Sequence, residues 1–156
     1  MGIGNYRGNI LDPRKVYLVQ TDTTVGFLSQ NRKRLSEIKN RPVEKPFLIS
    51  VDSFKPLKKF ARVPKKFKKR VRRAKKTTFV YPNGKAVRVV RDDRHISFLK
   101  KFGWMYSTSA NRSGKRFERE FAFEKADVIV EDQRGFFEGK ASEILRLSQR
   151  KIKKLR

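Results

Sequence analysis

Short apolar runs alternate along the chain with polar segments rich in cations. Val16-Tyr17-Leu18-Val19 is a β-branched and aromatic run the size of a buried strand, and it empties into the polar stretch Gln20-Thr21-Asp22-Thr23-Thr24-Val25-Gly26. Residues 32–39 place Leu35 and Ile38 three apart, as one short amphipathic helix does, and Pro42 forbids its continuation. Phe47-Leu48-Ile49-Ser50-Val51 predicts a second strand. Leu57, Phe60 and Ala61, then Val63, Phe67, Val71 and Ala74, recur at helical spacing, so residues 52–76 predict two helices broken at Pro64. Thr77-Thr78-Phe79-Val80-Tyr81 and Ala86-Val87-Arg88-Val89-Val90 flank an Asn83-Gly84 turn and predict an antiparallel hairpin. His95, Phe98, Leu99 and Phe102 fit one helix face ending near Gly103. Trp104-Met105-Tyr106 is a strand leading into a small-polar loop, and residues 116–126 predict a short helix. Asp127-Val128-Ile129-Val130 is a further strand, and residues 141–147 and 151–155 predict closing strands after a polar loop that reaches Gly139. Residues 1–14 read as an irregular leader and 15–156 as a single domain, since no repeat or interdomain linker interrupts them.

Charge changes the picture more than composition does. At 156 residues with 13 Phe the chain can bury a core, yet 41 Lys+Arg face 15 Asp+Glu, a formal net charge of +26. That predicts attraction to phosphate-rich partners, although a basic surface also serves solubility alone. No acidic residue lies between Asp52 and Asp92, and thirteen of the twenty-two residues 55–76 are Lys or Arg. Such a segment is either a groove for an RNA backbone or a solvated charged face. The chain has no cysteine, which excludes disulfides and thiolate metal sites, and its one histidine, His95, excludes a multi-histidine site. A lone histidine on an apolar helix face packs more often than it catalyses. No signal peptide and no membrane-length apolar run is evident, so a soluble cytoplasmic protein without a membrane partner is expected.

Candidate chemistry gathers at strand ends, where open α/β sheets place ligands. Lys39-Asn40-Arg41-Pro42-Val43-Glu44-Lys45-Pro46 holds three cations in a segment that two prolines stiffen. Tyr106-Ser107-Thr108-Ser109-Ala110-Asn111-Arg112-Ser113-Gly114 packs hydroxyl, amide and backbone donors that suit an oligophosphate, and equally an ordinary turn. Arg88 alternates with Val87 and Val89 and so points off the opposite sheet face, into a ligand site or into solvent. No paired carboxylates, nucleophile elbow or Walker A pattern occurs. Catalysis by positioning and charge stabilisation of a triphosphate and a small polar co-substrate remains.

Four ordered blocks give this reading a family. Gln20-Thr21-Asp22-Thr23-Thr24-Val25-Gly26 resembles P-T-[DE]-T-x-Y-G-L of the YrdC-like family, the threonylcarbamoyladenylate synthases, and residues 39–46 resemble its K-x-R-P-x-x-x-P block. Residues 77–82 with 86–89 are similar to its T-[FL]-V and A-V-R-V strands, and residues 107–114 to its S-x-N signature. Ala141-Ser142-Glu143-Ile144 and the terminal Leu155-Arg156 resemble its closing pair. Gln20 stands in place of the usual proline, Val25 of the usual tyrosine, and Ser50 where longer members often have histidine. The resemblance implies a mixed α/β fold, a twisted parallel and antiparallel sheet with flanking helices around a basic cavity. It implies condensation of L-threonine, bicarbonate and ATP, with Mg2+ bound alongside the nucleotide, to threonylcarbamoyl-AMP and pyrophosphate for tRNA modification. Lys39 and Arg41 would be the catalytic cations on the triphosphate, with Lys45, Thr78, Ser109, Asn111 and Arg156 also on ATP. Thr23, Ser107, Ser142 and Arg88 would contact threonine, and no residue is expected to ligate a metal. Threonylcarbamoyl-transferase complex proteins and tRNA would be partners. The alternative is a non-catalytic module on the same fold that binds double-stranded RNA or tRNA.

Overall fold

The computed structural model describes residues 12–156. The first eleven residues of the expected leader lie outside them. A single nine-stranded sheet organises the rest, with strands β1 (Tyr17–Gln20), β2 (Val25–Ser29), β3 (Leu48–Val51), β4 (Thr77–Val80), β5 (Ala86–Val89), β6 (Trp104–Ser109), β7 (Val128–Val130), β8 (Glu143–Leu147) and β9 (Ile152–Lys154). Their order across the sheet is β7-β1-β2-β6-β3-β5-β4-β8-β9. The β1–β7, β3–β5 and β4–β8 pairs are parallel and the others antiparallel, so the expected mixed α/β sheet is present.

Five helices cover it: α1 (Arg32–Lys39), α2 (Phe54–Phe60), α3 (Lys68–Arg73), α4 (Asp93–Leu99) and α5 (Arg119–Lys125), with a 3-10 turn at Lys65–Phe67 before α3. The break expected at Pro64 is there, and the second helix it delimits begins as that 3-10 turn. One core joins Leu18, Phe27 and Ile129 to Leu35 and Ile38 of α1 and to Phe121 of α5. A second joins Ile49, Phe79, Val87 and Leu145 to Leu57 of α2 and Val71 of α3. Tyr17, Val19, Leu28 and Met105 meet Phe98 and Leu99 of α4 in a third.

Strand alternation then decides where the site falls. Phe79, Val87 and Leu145 point toward α2 and α3, so their neighbours Thr78, Arg88 and Ile144 point the other way. α4 covers that second face only around Tyr17, Leu28 and Met105. The remainder of the face is left for a cavity.

Candidate active site

Helix α1 delivers the first cations. The Asn31 side chain caps its N-terminus, accepting from the Arg34 N–H at 3.2 Å, and Leu35 and Ile38 bury its inner face. Lys39, one turn beyond Leu35, is therefore drawn inward as well and is 5% exposed. Asn40 ends the helix at φ 50°, a left-handed conformation that asparagine tolerates, and its N–H bonds the Glu37 carbonyl. The Lys39 ammonium donates to the Ser109 carbonyl at 2.8 Å, the Asn111 carbonyl at 2.6 Å and Asn111 Oδ1 at 3.1 Å. Ser113 Oγ returns a bond to the Lys39 carbonyl at 2.7 Å. Lysine and small-polar loop thus hold each other. Burial, reinforced by the nearby charge of Arg41, pulls the Lys39 pKa down to about 8.

The guanidinium of Arg41 lies 4.3 Å over the Phe47 ring and donates to the Pro46 carbonyl at 2.9 Å, while its buried Nε has no partner. The two prolines and the ring fix its plane. From β4, Thr78 Oγ1 sits 2.9 Å from Ser142 Oγ. Arg156 binds the same serine, through its carbonyl at 2.9 Å and its hydroxyl at 3.1 Å.

On β5, Arg88 points off the face opposite Val87 and Val89 as the alternation predicts, and of the two destinations left open it takes the buried one, facing the cavity rather than solvent. Its guanidinium meets Asp22 Oδ1 at 3.2 Å and Thr23 Oγ1 at 3.4 Å, and its Nε is unpartnered. Behind them, His95 of α4 accepts the Asp22 backbone N–H on Nδ1 at 3.3 Å. This places the proton of the neutral ring on Nε2, which has no partner among the described residues. Burial lowers the His95 pKa against the pull of Asp22; burial alone would raise that of Asp22, but His95 and Arg88 hold it below the ordinary carboxylate range.

All eleven expected residues line one cavity of about 780 Å³: Lys39, Arg41, Lys45, Thr78, Ser109, Asn111 and Arg156, with Thr23, Ser107, Ser142 and Arg88. Arg112 does not. Its guanidinium pairs with Glu118 at 3.1 Å and lies over the Phe121 ring at 4.9 Å, which leaves the anion-binding capacity of the loop to its neighbours. Four supporting residues carried no role in the sequence reading: Asp22, His95, Gln20 and Gly139. Gln20 Oε1 accepts the Phe137 N–H at 2.9 Å, and the Gly139 N–H bonds Thr24 Oγ1 at 3.1 Å, so the strap of residues 131–142 is tied onto the β1–β2 turn beside the cavity. Gln20 occupies the position of the usual proline, and that departure was its only signal.

Among the described residues no acidic side chain lines the cavity, and the nearby Asp22 is engaged by Arg88 and His95. The acceptors that the walls offer Mg2+ are therefore neutral hydroxyl and carbonyl oxygens, and the anionic ligands would be the phosphates of a nucleotide. Among the described residues no helix is long and apolar enough to cross a membrane.

The sequence profile of the Sua5/YciO/YrdC family, described as telomere recombination, matches residues 9–156. No curated protein sequence matches the chain. Among solved structures it is similar to P. abyssi Sua5 complexed with L-threonine, at 22% identity and a TM-score of 0.74 over 91% of this chain and 50% of that one. E. coli YciO aligns at 17% identity and a TM-score of 0.75 over 94% of this chain and 84% of that one. Full-length HypF in the phosphate- and nucleotide-bound form aligns at 15% identity and a TM-score of 0.71, covering 91% of this chain and 22% of that one. At these identities the similarity is one of fold. The chain spans about half the length of the Sua5 chains.

Proposed function

The chain belongs to the Sua5/YciO/YrdC family, and on that premise we propose that it is an L-threonylcarbamoyladenylate synthase, condensing L-threonine, bicarbonate and ATP to threonylcarbamoyl-AMP and pyrophosphate for modification of tRNA. The observation that carries this reading is the convergence of eleven residues, from separate parts of the chain, on one cavity with hydroxyls and cations on its walls and, among the described residues, no acidic side chain. Forming this adenylate requires the threonine amine to bond the carbon of bicarbonate with loss of water, and an oxygen of the resulting carbamate to attack the α-phosphorus while pyrophosphate leaves. Fixed cations on the triphosphate serve that step by neutralising charge, and a wall of small hydroxyls lets phosphate oxygens come close. Arg41, Lys45 and Arg156 supply the charge in this reading. Lys39 anchors the Ser109–Asn111 wall and lends its positive charge through it. Arg88, held by Asp22, takes the carboxylate of threonine, with Thr23, Ser107 and Ser142 around the amino acid. A Sua5 complexed with L-threonine and a HypF bound to phosphate and nucleotide, both on this fold, support the choice of ligands. In cells, the product would pass to threonylcarbamoyl-transferase complex proteins.

Purified protein given ATP, threonine and bicarbonate is expected to release pyrophosphate only when threonine is present. Arg41→Ala and Lys39→Met are each expected to lower that rate on the order of a hundredfold, the scale of losing one preorganised charge contact. Because the Lys39 pKa stands at about 8, ATP affinity is expected to fall as the pH rises through that value, and Lys39→Met to abolish the dependence. Absence of threonine-dependent release, under conditions where a longer family member turns over, overturns the assignment.

A further inference from the structure

A second concavity lies between helices α2 and α3 and shares no residue with the cavity described above. Its volume is about 760 Å³, within the range of roughly 300–1,000 Å³ typical of ligand pockets. Phe54, Phe60, Ala61 and Val63, all half-buried, give it an apolar floor above the buried Leu57 and Val71, and Lys58, Lys59, Arg62, Lys68 and Arg72 stand around it. All five of those cations are exposed. Among the described residues no acidic side chain lines the groove, and none occurs in the sequence between Asp52 and Asp92, so the segment that forms the rim carries no negative charge to neutralise it.

Floor and rim together specify an occupant more narrowly than either does alone. A nucleic-acid backbone answers cations but has no use for an apolar floor, and single strands bind where aromatic faces are free for base stacking. Here the rings are already engaged: Phe60 packs edge-on against Trp104 with centroids 5.2 Å apart and carries Lys85 at 5.8 Å, and Phe54 lies under Arg91 at 5.2 Å. An amphipathic helix with acidic flanks answers both features, with apolar anchors in the groove and carboxylates on the rim. Helix α2 has seven residues, about 10 Å of axis, which matches anchors drawn from two turns of a partner helix at i, i+3 or i+4, and i+7.

We propose that the α2–α3 groove is a docking surface for an acidic amphipathic helix of a partner protein. The proposal stands on this groove alone and is independent of the chemistry assigned to the cavity. Its test uses three labelled probes: a helix-forming peptide with Leu at i, i+3, i+4 and i+7 and Glu between them, a scrambled peptide of the same composition, and a short RNA duplex. Binding is read by fluorescence anisotropy, and the contact surface by amide chemical shifts of the full chain. The patterned peptide is expected to bind at least tenfold tighter than the scrambled one, to shift the amides of α2 and α3 but not those of residues 107–114, and to keep that preference when salt is raised. Charge reversal at the exposed pair Lys59→Glu and Arg62→Glu is expected to weaken it at least tenfold while pyrophosphate release or ATP binding in the cavity stays unchanged. Equal affinity for patterned and scrambled peptides overturns the proposal. So does an RNA duplex that binds this face more tightly and displaces the peptide, which would make the surface a nucleic-acid platform.

Discussion

His95 shows how a residue with no catalytic contact bears on the site. It is fully buried, its Nδ1 is occupied by the Asp22 backbone, and Asp22, Arg88 and Asp92 are the charged groups around it. Asp22 in turn aims Arg88 into the cavity, so the imidazole supports the cation from behind. Because burial lowers its pKa in the folded chain below the usual value of about 6.5, the unfolded chain takes up the proton first as the pH falls. Its contribution to stability is therefore complete above about pH 6.5 and is lost as the pH drops through the lowered folded value. Urea midpoints across that window are expected to fall for the wild type and to stay flat for His95→Gln; parallel curves would show that the ring is not what titrates. The acid limb due to Asp22 lies separately, below the ordinary carboxylate range. Nothing in the sequence marked this role, because a single histidine among Phe98, Leu99 and Phe102 carries no pattern. The residues that do carry one, Lys39 with Arg41 and Ser109 with Asn111, were legible because their spacing is local to one helix end and one strand end.

At the scale of elements, helix α1, the β4–β5 hairpin and the break at Pro64 were readable from period and punctuation. Strand β2 was not. Its five residues, Val25 to Ser29, are all buried, so they show no alternation, and Gly26 lowers their strand propensity. The glycine is needed, since a Cβ there would stand 3.0 Å from the Thr108 carbonyl oxygen of β6. Strand order was equally illegible: β6 enters between β2 and β3, and β8 beside β4, through pairings that no local pattern encodes. The strap of residues 131–142 is a similar case. An added Cβ at Gly139 would fall 1.9 Å from the Thr23 carbonyl oxygen, which belongs to backbone and cannot swing aside. Gly139→Ala is expected to cost on the order of 1–3 kcal/mol, as overpacking of a fitted contact does, and to free the strap from Thr24. Calorimetry reads the cost, and limited proteolysis within residues 131–142 reads the release; an unchanged melting temperature would mean that the turn yields without loss.

For the whole molecule, the excess of 41 cations over 15 acidic residues is a destabilising field as well as a means of recognition. The exposed cations of α3 follow one another along the chain, with Lys68, Lys69, Arg70, Arg72 and Arg73 in one six-residue helix, so part of the repulsion is local. Screening acts over about 10 Å at 0.1 M salt, comparable to the length of that helix, and it leaves buried pairs such as Arg88 with Asp22 largely untouched. Raising sodium chloride from a few millimolar to about 0.3 M is therefore expected to raise the melting temperature, opposite to the trend of a fold held together by surface ion pairs. Neutralising Lys69 and Arg70 to Gln is expected to raise the low-salt melting temperature and to make no difference at high salt, because both measures remove the same repulsion. A melting temperature that falls with salt would place the dominant electrostatics in attractive contacts such as Arg134 with Asp132 and Asp92. An equal gain from the double variant at every salt concentration would assign its effect to helix propensity instead of charge. If screening prevails, covering the basic surface with a polyanion stabilises the fold as salt does, and a partner that binds α2 and α3 only in the folded chain adds stability that grows with its concentration relative to its dissociation constant.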